Sequence, residues 1–450
     1  MDRGKESNSG TALDAAERTG SAYFDENYEP HDHKPTGKSA SNFEAISLLI
    51  KSVVGTGILG MPRAFYNAGY ILGTFGTIFI GIITATTSHL IAESEHELCR
   101  RKRIPRMTYP ETVEAAFEQG PRNVRRFKYI ARVICSSFLV MMEFSGGCVY
   151  LIFIAENIKE VCDHLFSPAP LKFYLICLLG PLTLLCWIKN LKNLAPGATI
   201  GTSCATVCIG AVYFFIFSEP ISLEGRKATG SLKSFALFFG TSMFALAAFA
   251  EIMPIKNRMT KPANFSSVCG VVNVAMVPIT LLYLTMGIFG YLAYGANTQN
   301  PITLNLPQTG IFGDLIRGLL AGSVFLSFPI GFYVVVEELW HKNLKLKFGH
   351  SKYLDQWEYG IRTVLTFTTV LCCIAIPNLE LFMALVGSLM MPAVGLWFPA
   401  IMHTLTFWNE STGFKRVLLI FKISVLILTG VFALVVSVSV TLLEIYETVL

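Results

Sequence analysis

Charge is scarce in this chain. Asp, Glu, Lys and Arg together supply 15% of its 450 residues, against roughly a quarter in an average soluble domain. That deficit argues against an ordinary soluble fold, and the small net charge of +5 argues against a nucleic-acid surface. Metal-ligand patterns are missing as well: there is no CxxC pair and no Cys/His cluster at ligand spacing. Most cysteines, including Cys135, Cys148, Cys177, Cys204, Cys208, Cys372 and Cys373, lie in apolar runs and read as small buried hydrophobes, not as a disulfide framework. No nucleophile–base pair, phosphate-cradling loop or paired-carboxylate motif is present, so neither an enzyme nor a cofactor is expected. The first 40 residues are polar and have no apolar core. They are therefore expected to be a disordered cytosolic tail over 1–40, neither signal peptide nor folded domain.

What the sequence does have is apolar length. Hydrophobic residues make up 52% of it, gathered in runs long enough to cross a hydrocarbon core of about 30 Å as helices. The expected spans are Phe43–Pro62, Gly69–Ile91, Ile134–Ala155, Leu171–Ile188, Ala198–Phe217, Phe235–Met253, Val268–Leu292, Leu315–Leu339, Ile361–Ile376, Leu381–Leu405 and Val417–Leu443. The fold class is thus an all-α integral membrane protein of about eleven transmembrane helices.

Loop charges support this count. Every second connection is basic: Arg100–Arg103 through Lys128, then Lys189 and Lys192, then Lys256, Arg258 and Lys261, then Lys342, Lys345, Lys347 and Lys352, then Lys415 and Arg416. The alternate connections carry little beyond Lys159, Arg226 and Lys227. The positive-inside rule then puts the N-terminus in the cytosol.

Two spans contain poor helix material. The first holds Gly55-Thr56-Gly57-Ile58-Leu59-Gly60-Met61-Pro62; the sixth holds Gly240-Thr241-Ser242, then Ala-rich sequence up to Pro254. A broken helix leaves backbone groups unpaired, which a membrane tolerates only where the backbone is buried in protein or lines a cavity. The breaks are five spans apart, the spacing of an inverted five-plus-five repeat with substrate bound between half-helices. Repeat one is expected at 41–218, repeat two at 233–405, and an extra helix at 417–443, together forming a transporter domain over 41–450. Half-helix ends suit both poles of an amino-acid zwitterion. The expected substrate-binding residues are Gly55, Thr56 and Gly57, opposite Phe244, Ala245, Leu246 and Ala247.

The motif 55–62 with Asn67-Ala68-Gly69 resembles the first-helix signature of the proton-assisted amino acid transporters, within the amino acid/auxin permease superfamily. So do Glu97-Leu98-Cys99-Arg100-Arg101, Val149-Tyr150 with Ala155-Glu156-Asn157, Phe332-Tyr333-Val334 with Glu337, and Ile376-Pro377-Asn378-Leu379. The resemblance covers essentially everything after the tail. It implies eleven helices, an inverted-repeat core and symport of small amino acids with protons. The chain departs from that pattern at several points. Leu48 stands where relatives often carry histidine, Ala247-Ala248 where they have Glu-Gly, Lys256-Asn257 for Glu-Asn, and Glu143 for a common Gln.

Ionisable groups inside spans need a reason to be there, because inserting one costs roughly 2.5–3.5 kcal/mol. Lys51 can snorkel, and Glu251 and Glu338 fall near cytosolic ends. Glu143 and Glu337 lie deeper and are the candidates for proton coupling. The leading expectation is a proton-coupled symporter of small neutral amino acids, multi-pass, in a plasma or lysosomal/endosomal membrane. Its partners would be a small amino acid, the proton and membrane lipid, with no nucleic acid and no metal. The alternatives are an amino-acid sensor with little turnover and a proton-independent facilitator.

Overall fold

The structure is a computed structural model that describes residues 29–30, 40–189, 191–247, 249–267, 269–307, 311–344 and 353–449. Ala248, Lys345, Lys347, Lys352 and all of the expected tail except Glu29, Pro30 and Ala40 lie outside the described residues.

The first span is two helices, α1 (Asn42–Val53) and α2 (Gly57–Ala68), bent by 56° across residues 54–56. Ser41 starts α1 with a capping box: its hydroxyl accepts from the Glu44 N–H, and the Glu44 carboxylate accepts from the Ser41 N–H at 2.8 Å. Next come α3 (Tyr70–Lys102), a short α4 (Tyr109–Gln119), α5 (Lys128–Leu165), α6 (Leu171–Cys186) and α7 (Leu191–Ser218). The sixth span is again split, into α8 (Leu232–Ala245) and α9 (Phe249–Arg258). The rest are α10 (Val271–Tyr294), α11 (Ile311–Val336), α12 (Leu354–Ala375), α13 (Leu379–Leu389) continued by α14 (Phe398–Phe407), and α15 (Gly413–Phe432) continued by α16 (Val438–Val449). Among the described residues nine helices are long and apolar enough to cross a membrane. The bent pair α1–α2 makes a tenth span, and the shorter apolar α6 completes the expected set. Large apolar side chains such as Phe75, Val207 and Phe214 point outward, as lipid contact requires.

Two expectations shift. Gly240-Thr241-Ser242 is regular helix, and the interruption falls at Leu246–Ala247. Gly240 serves packing instead: a Cβ on Gly387 would lie 1.9 Å from the Gly240 carbonyl oxygen, so α8 and α13 cross backbone to backbone. The ninth span, expected from Ile361, starts at Leu354. Its first turns hold charge that is satisfied internally. Arg362 is buried, pairs with Glu358 at 2.9 Å and donates to the Cys186 carbonyl at 2.8 Å.

The face carrying the start of α1 is basic and cross-tied, and is called the near face below; the opposite one is the far face. On the near face Glu118 of α4 takes hydrogen bonds from both Lys102 and Lys128, while Arg132 pairs with Glu114 at 2.9 Å. The two lysines hold the Glu118 carboxyl down at about 2, so it stays ionised through mildly acidic pH. Arg101 joins Glu97 and Glu410, each at 2.7 Å, tying α3 to the end of α14. Ala40 forms a parallel bridge to Met259, which fastens the start of α1 to the end of α9.

Candidate functional site

Helix α2 starts at Gly57 without a side-chain cap from Thr56, so N–H groups of its first turn stay available. Helix α8 ends at Ala245. There the Leu246 N–H returns to the Ser242 carbonyl and the Ala247 N–H to the Phe244 carbonyl at 3.3 Å. The two ends meet: a Cβ on Gly57 would lie 2.8 Å from the Ala245 Cα. A positive helix start and a negative helix end therefore sit side by side in the protein interior. Thr56, Ala245 and Leu246 are buried; Gly55, Phe244 and Ala247 are half-buried.

Two tyrosines complete the break. Tyr283 of α10, fully buried, donates to the Val53 carbonyl at 2.8 Å, satisfying a helix-end carbonyl of α1. Tyr150 of α5 faces the break from the other side, its hydroxyl oxygen 3.7 Å from where a Gly55 Cβ would stand.

The structure gives the acidic candidates different surroundings. Glu143, on α5 two turns before Tyr150, places a carboxylate oxygen 3.4 Å from where a Gly331 Cβ of α11 would be. Among the described residues it has no hydrogen-bond or ion-pair partner. Glu337 is exposed and about 9 Å further along from Gly331 at a helical rise of 1.5 Å per residue. Its neighbour Glu338 accepts a 2.6 Å hydrogen bond from Ser136. Lys51 is exposed on α1, as snorkelling requires, and makes no ion pair with Glu337.

Sequence reasoning did not single out a second polar centre, at the far-face end of α2. Arg63 donates to Glu380 of α13 at 3.0 Å and to the Thr298 carbonyl at 3.1 Å, and lies over the Tyr66 ring. Asn67 donates to the other Glu380 oxygen at 2.5 Å. This clamp ties α2 to α13 at the edge of a cavity of about 520 Å³, also lined by Glu156, Asn300 and Asn378. A charged residue two positions beyond a Pro-Asn helix start was the available signal for Glu380.

The whole arrangement matches known transporters. A family model described as transmembrane amino acid transporter protein covers residues 38–443. The chain belongs to this family. Over 409 residues it is 31% identical to the Drosophila melanogaster protein called proton-coupled amino acid transporter-like protein pathetic, covering 91% of this chain and 86% of that one. It is also 23% identical over 437 residues to vacuolar amino acid transporter 4 of Saccharomyces cerevisiae, covering 88% of this chain but 58% of the yeast protein. In structure it resembles a Na+-coupled sialic acid symporter in an outward-open state. The TM-score is 0.54 at 10% identity, covering 94% of this chain and 92% of the symporter. That likeness speaks for the fold, an inverted-repeat transporter bundle. This family member is thus a multi-pass transport protein and not an enzyme.

Proposed function

We propose that the protein is a secondary active symporter that carries small neutral amino acids across its membrane together with protons. The observation that carries this reading is the meeting of α2 and α8 at Gly57 and Ala245. The substrate carboxylate takes N–H groups at the start of α2, around Gly55, Thr56 and Gly57. Its ammonium takes carbonyls at the end of α8, over Phe244, Ala245, Leu246 and Ala247.

Glu143 is the favoured proton carrier. It lies inside the bundle against Gly331, two turns along α5 from Tyr150, and lacks a hydrogen-bond or ion-pair partner among the described residues. Glu337, more exposed, is the lesser candidate. The name of the fruit-fly relative supports proton coupling. Residues 41–218 and 233–405 form the two repeats, and 417–443 the extra helix. The basic near face is cytosolic by the loop-charge rule. Both a plasma membrane and a lysosomal or endosomal membrane present the acid gradient such a symporter needs.

Leu48, exposed on α1 where relatives often carry histidine, favours a second reading as a proton-independent facilitator. Radiolabelled uptake into vesicles, with and without an imposed pH gradient, separates the readings. A symporter concentrates substrate only with the gradient, a facilitator equilibrates it in both cases, and a sensor without turnover takes up none.

A further inference from the structure

Three sequence stretches that the central break does not use come together at the far-face cavity. They are Met61-Pro62-Arg63, Ala155-Glu156-Asn157 and Ile376-Pro377-Asn378-Leu379. Glu156, on α5, lines the cavity beside the start of α13 at Asn378. Its Oε2 is buried and has no hydrogen-bond partner among the described residues. The Asn300 amide, which also lines the cavity, has both its oxygen and its nitrogen buried and unpartnered. Asn157 fixes this wall by accepting a 2.7 Å hydrogen bond from Thr303. Buried polar atoms are rarely left unmatched, because each one costs on the order of 1–3 kcal/mol. Across the cavity, Arg63 spends Nε on Glu380 and one Nη1 hydrogen on Thr298, which leaves three of its five N–H groups. The cavity thus offers an acceptor, an amide of both kinds and a cationic fork, which is the complement of an α-amino acid zwitterion.

We propose that this cavity is a second amino acid site, distinct from the central break. The ligand's ammonium goes to Glu156 Oε2, its carboxylate to the spare N–H groups of Arg63, and Asn300 bridges the two. The cavity lies directly over the central site. A Cβ on Gly60 would come within 3.2 Å of Asn300 Oδ1, and Gly60 is one helical turn from Gly57. A carboxylate on Arg63 also competes with Glu380 for the same guanidinium. Occupancy therefore loosens the tie between α2 and α13 at the cavity's edge. The substrate class rests on the function proposed above.

The test is equilibrium binding of each of the twenty radiolabelled standard amino acids to the full-length protein in lipid nanodiscs, with stoichiometry measured. At least one should bind at two molecules per chain. Gly57→Val should keep one of the two. Glu156→Gln and Asn300→Ala, each on the wild-type background, should weaken that same molecule by about 10-fold, the loss of one charge-assisted hydrogen bond, and spare the other. The Glu156 and Asn300 variants carry the test alone if Gly57→Val does not fold. One molecule per wild-type chain, or Glu156→Gln and Asn300→Ala curves that coincide with wild type, overturns the second site and leaves the proposed function standing. Binding of no amino acid to wild type overturns both.

Discussion

The hydroxyl of Tyr283 donates to the carbonyl of Val53 at 2.8 Å, so a side chain of α10 closes the end of α1 where the first span breaks. The Val53 carbonyl has lost its helical partner to the bend, and Tyr283 is its replacement. Tyr283→Phe keeps the ring and removes the donor. It should cost about 1–3 kcal/mol, the penalty of a buried unsatisfied carbonyl. A thermal melt of the purified variant reads this directly; an unchanged midpoint would mean that the carbonyl finds another donor.

Gly57 is needed for the approach of α2 to α8. A single methyl there meets the Ala245 Cα at 2.8 Å, which is backbone and cannot step aside cheaply. Gly57→Ala should therefore abolish most uptake while delivery to the membrane continues. Adding Ala245→Gly removes the methyl contact at 3.0 Å but should not restore uptake, because the tighter contact, with the Cα at 2.8 Å, remains. Wild-type uptake in Gly57→Ala, or rescue by the second change, would show that the helices part more easily than this contact implies.

Glu143 and Gln have nearly the same shape, but only Glu can carry a proton. Glu143→Gln should leave exchange of labelled for unlabelled amino acid measurable and make net uptake insensitive to external pH. Glu337→Gln should change the pH profile far less. A wild-type pH profile in Glu143→Gln would make that carboxyl structural and return the proton site to Glu337 or to neither.

Much of this was legible in the sequence, and the failures have physical causes. The number of spans followed from apolar length, and the first break from the crowding of Gly and Pro at 55–62. The helix resumes at Gly57 and runs on through Pro62, which lies inside α2 and leaves the Ile58 carbonyl without its usual helical donor. The second break falls at Leu246–Ala247, in the Ala-rich part of the expected stretch and not at its glycine end. Gly240 looked like a breaker and is a packing glycine, while the residues where α8 stops, Leu246 and Ala247, were marked by the resemblance and not by their own helix propensity. The start of α12 was hidden because Glu358 and Arg362 cancel each other, a pairing that composition cannot reveal. The far-face clamp joins residues more than 300 positions apart, so no local pattern announces it.

Lys256 stands where the resemblance leads one to expect Glu, and the structure supplies a partner for it. Its ammonium pairs with Glu95 of α3 at 2.6 Å, and both side chains are almost fully buried. Removing one member strands the other charge, at a cost of about 3–5 kcal/mol. Lys256→Met should therefore lower the melting temperature strongly, and Lys256→Met with Glu95→Leu should recover most of it. If the double variant is as unstable as the single one, the pair is not what Lys256 contributes.

The account turns on amino acid and proton crossing together at the break. Purified protein in liposomes that hold a pH-sensitive dye, with no gradient imposed, measures that directly when a small neutral amino acid is added outside. The account predicts that the lumen acidifies at a rate that tracks amino acid uptake, and that this acidification is lost in Glu143→Gln. Uptake of the same amino acid with no change in luminal pH would contradict it.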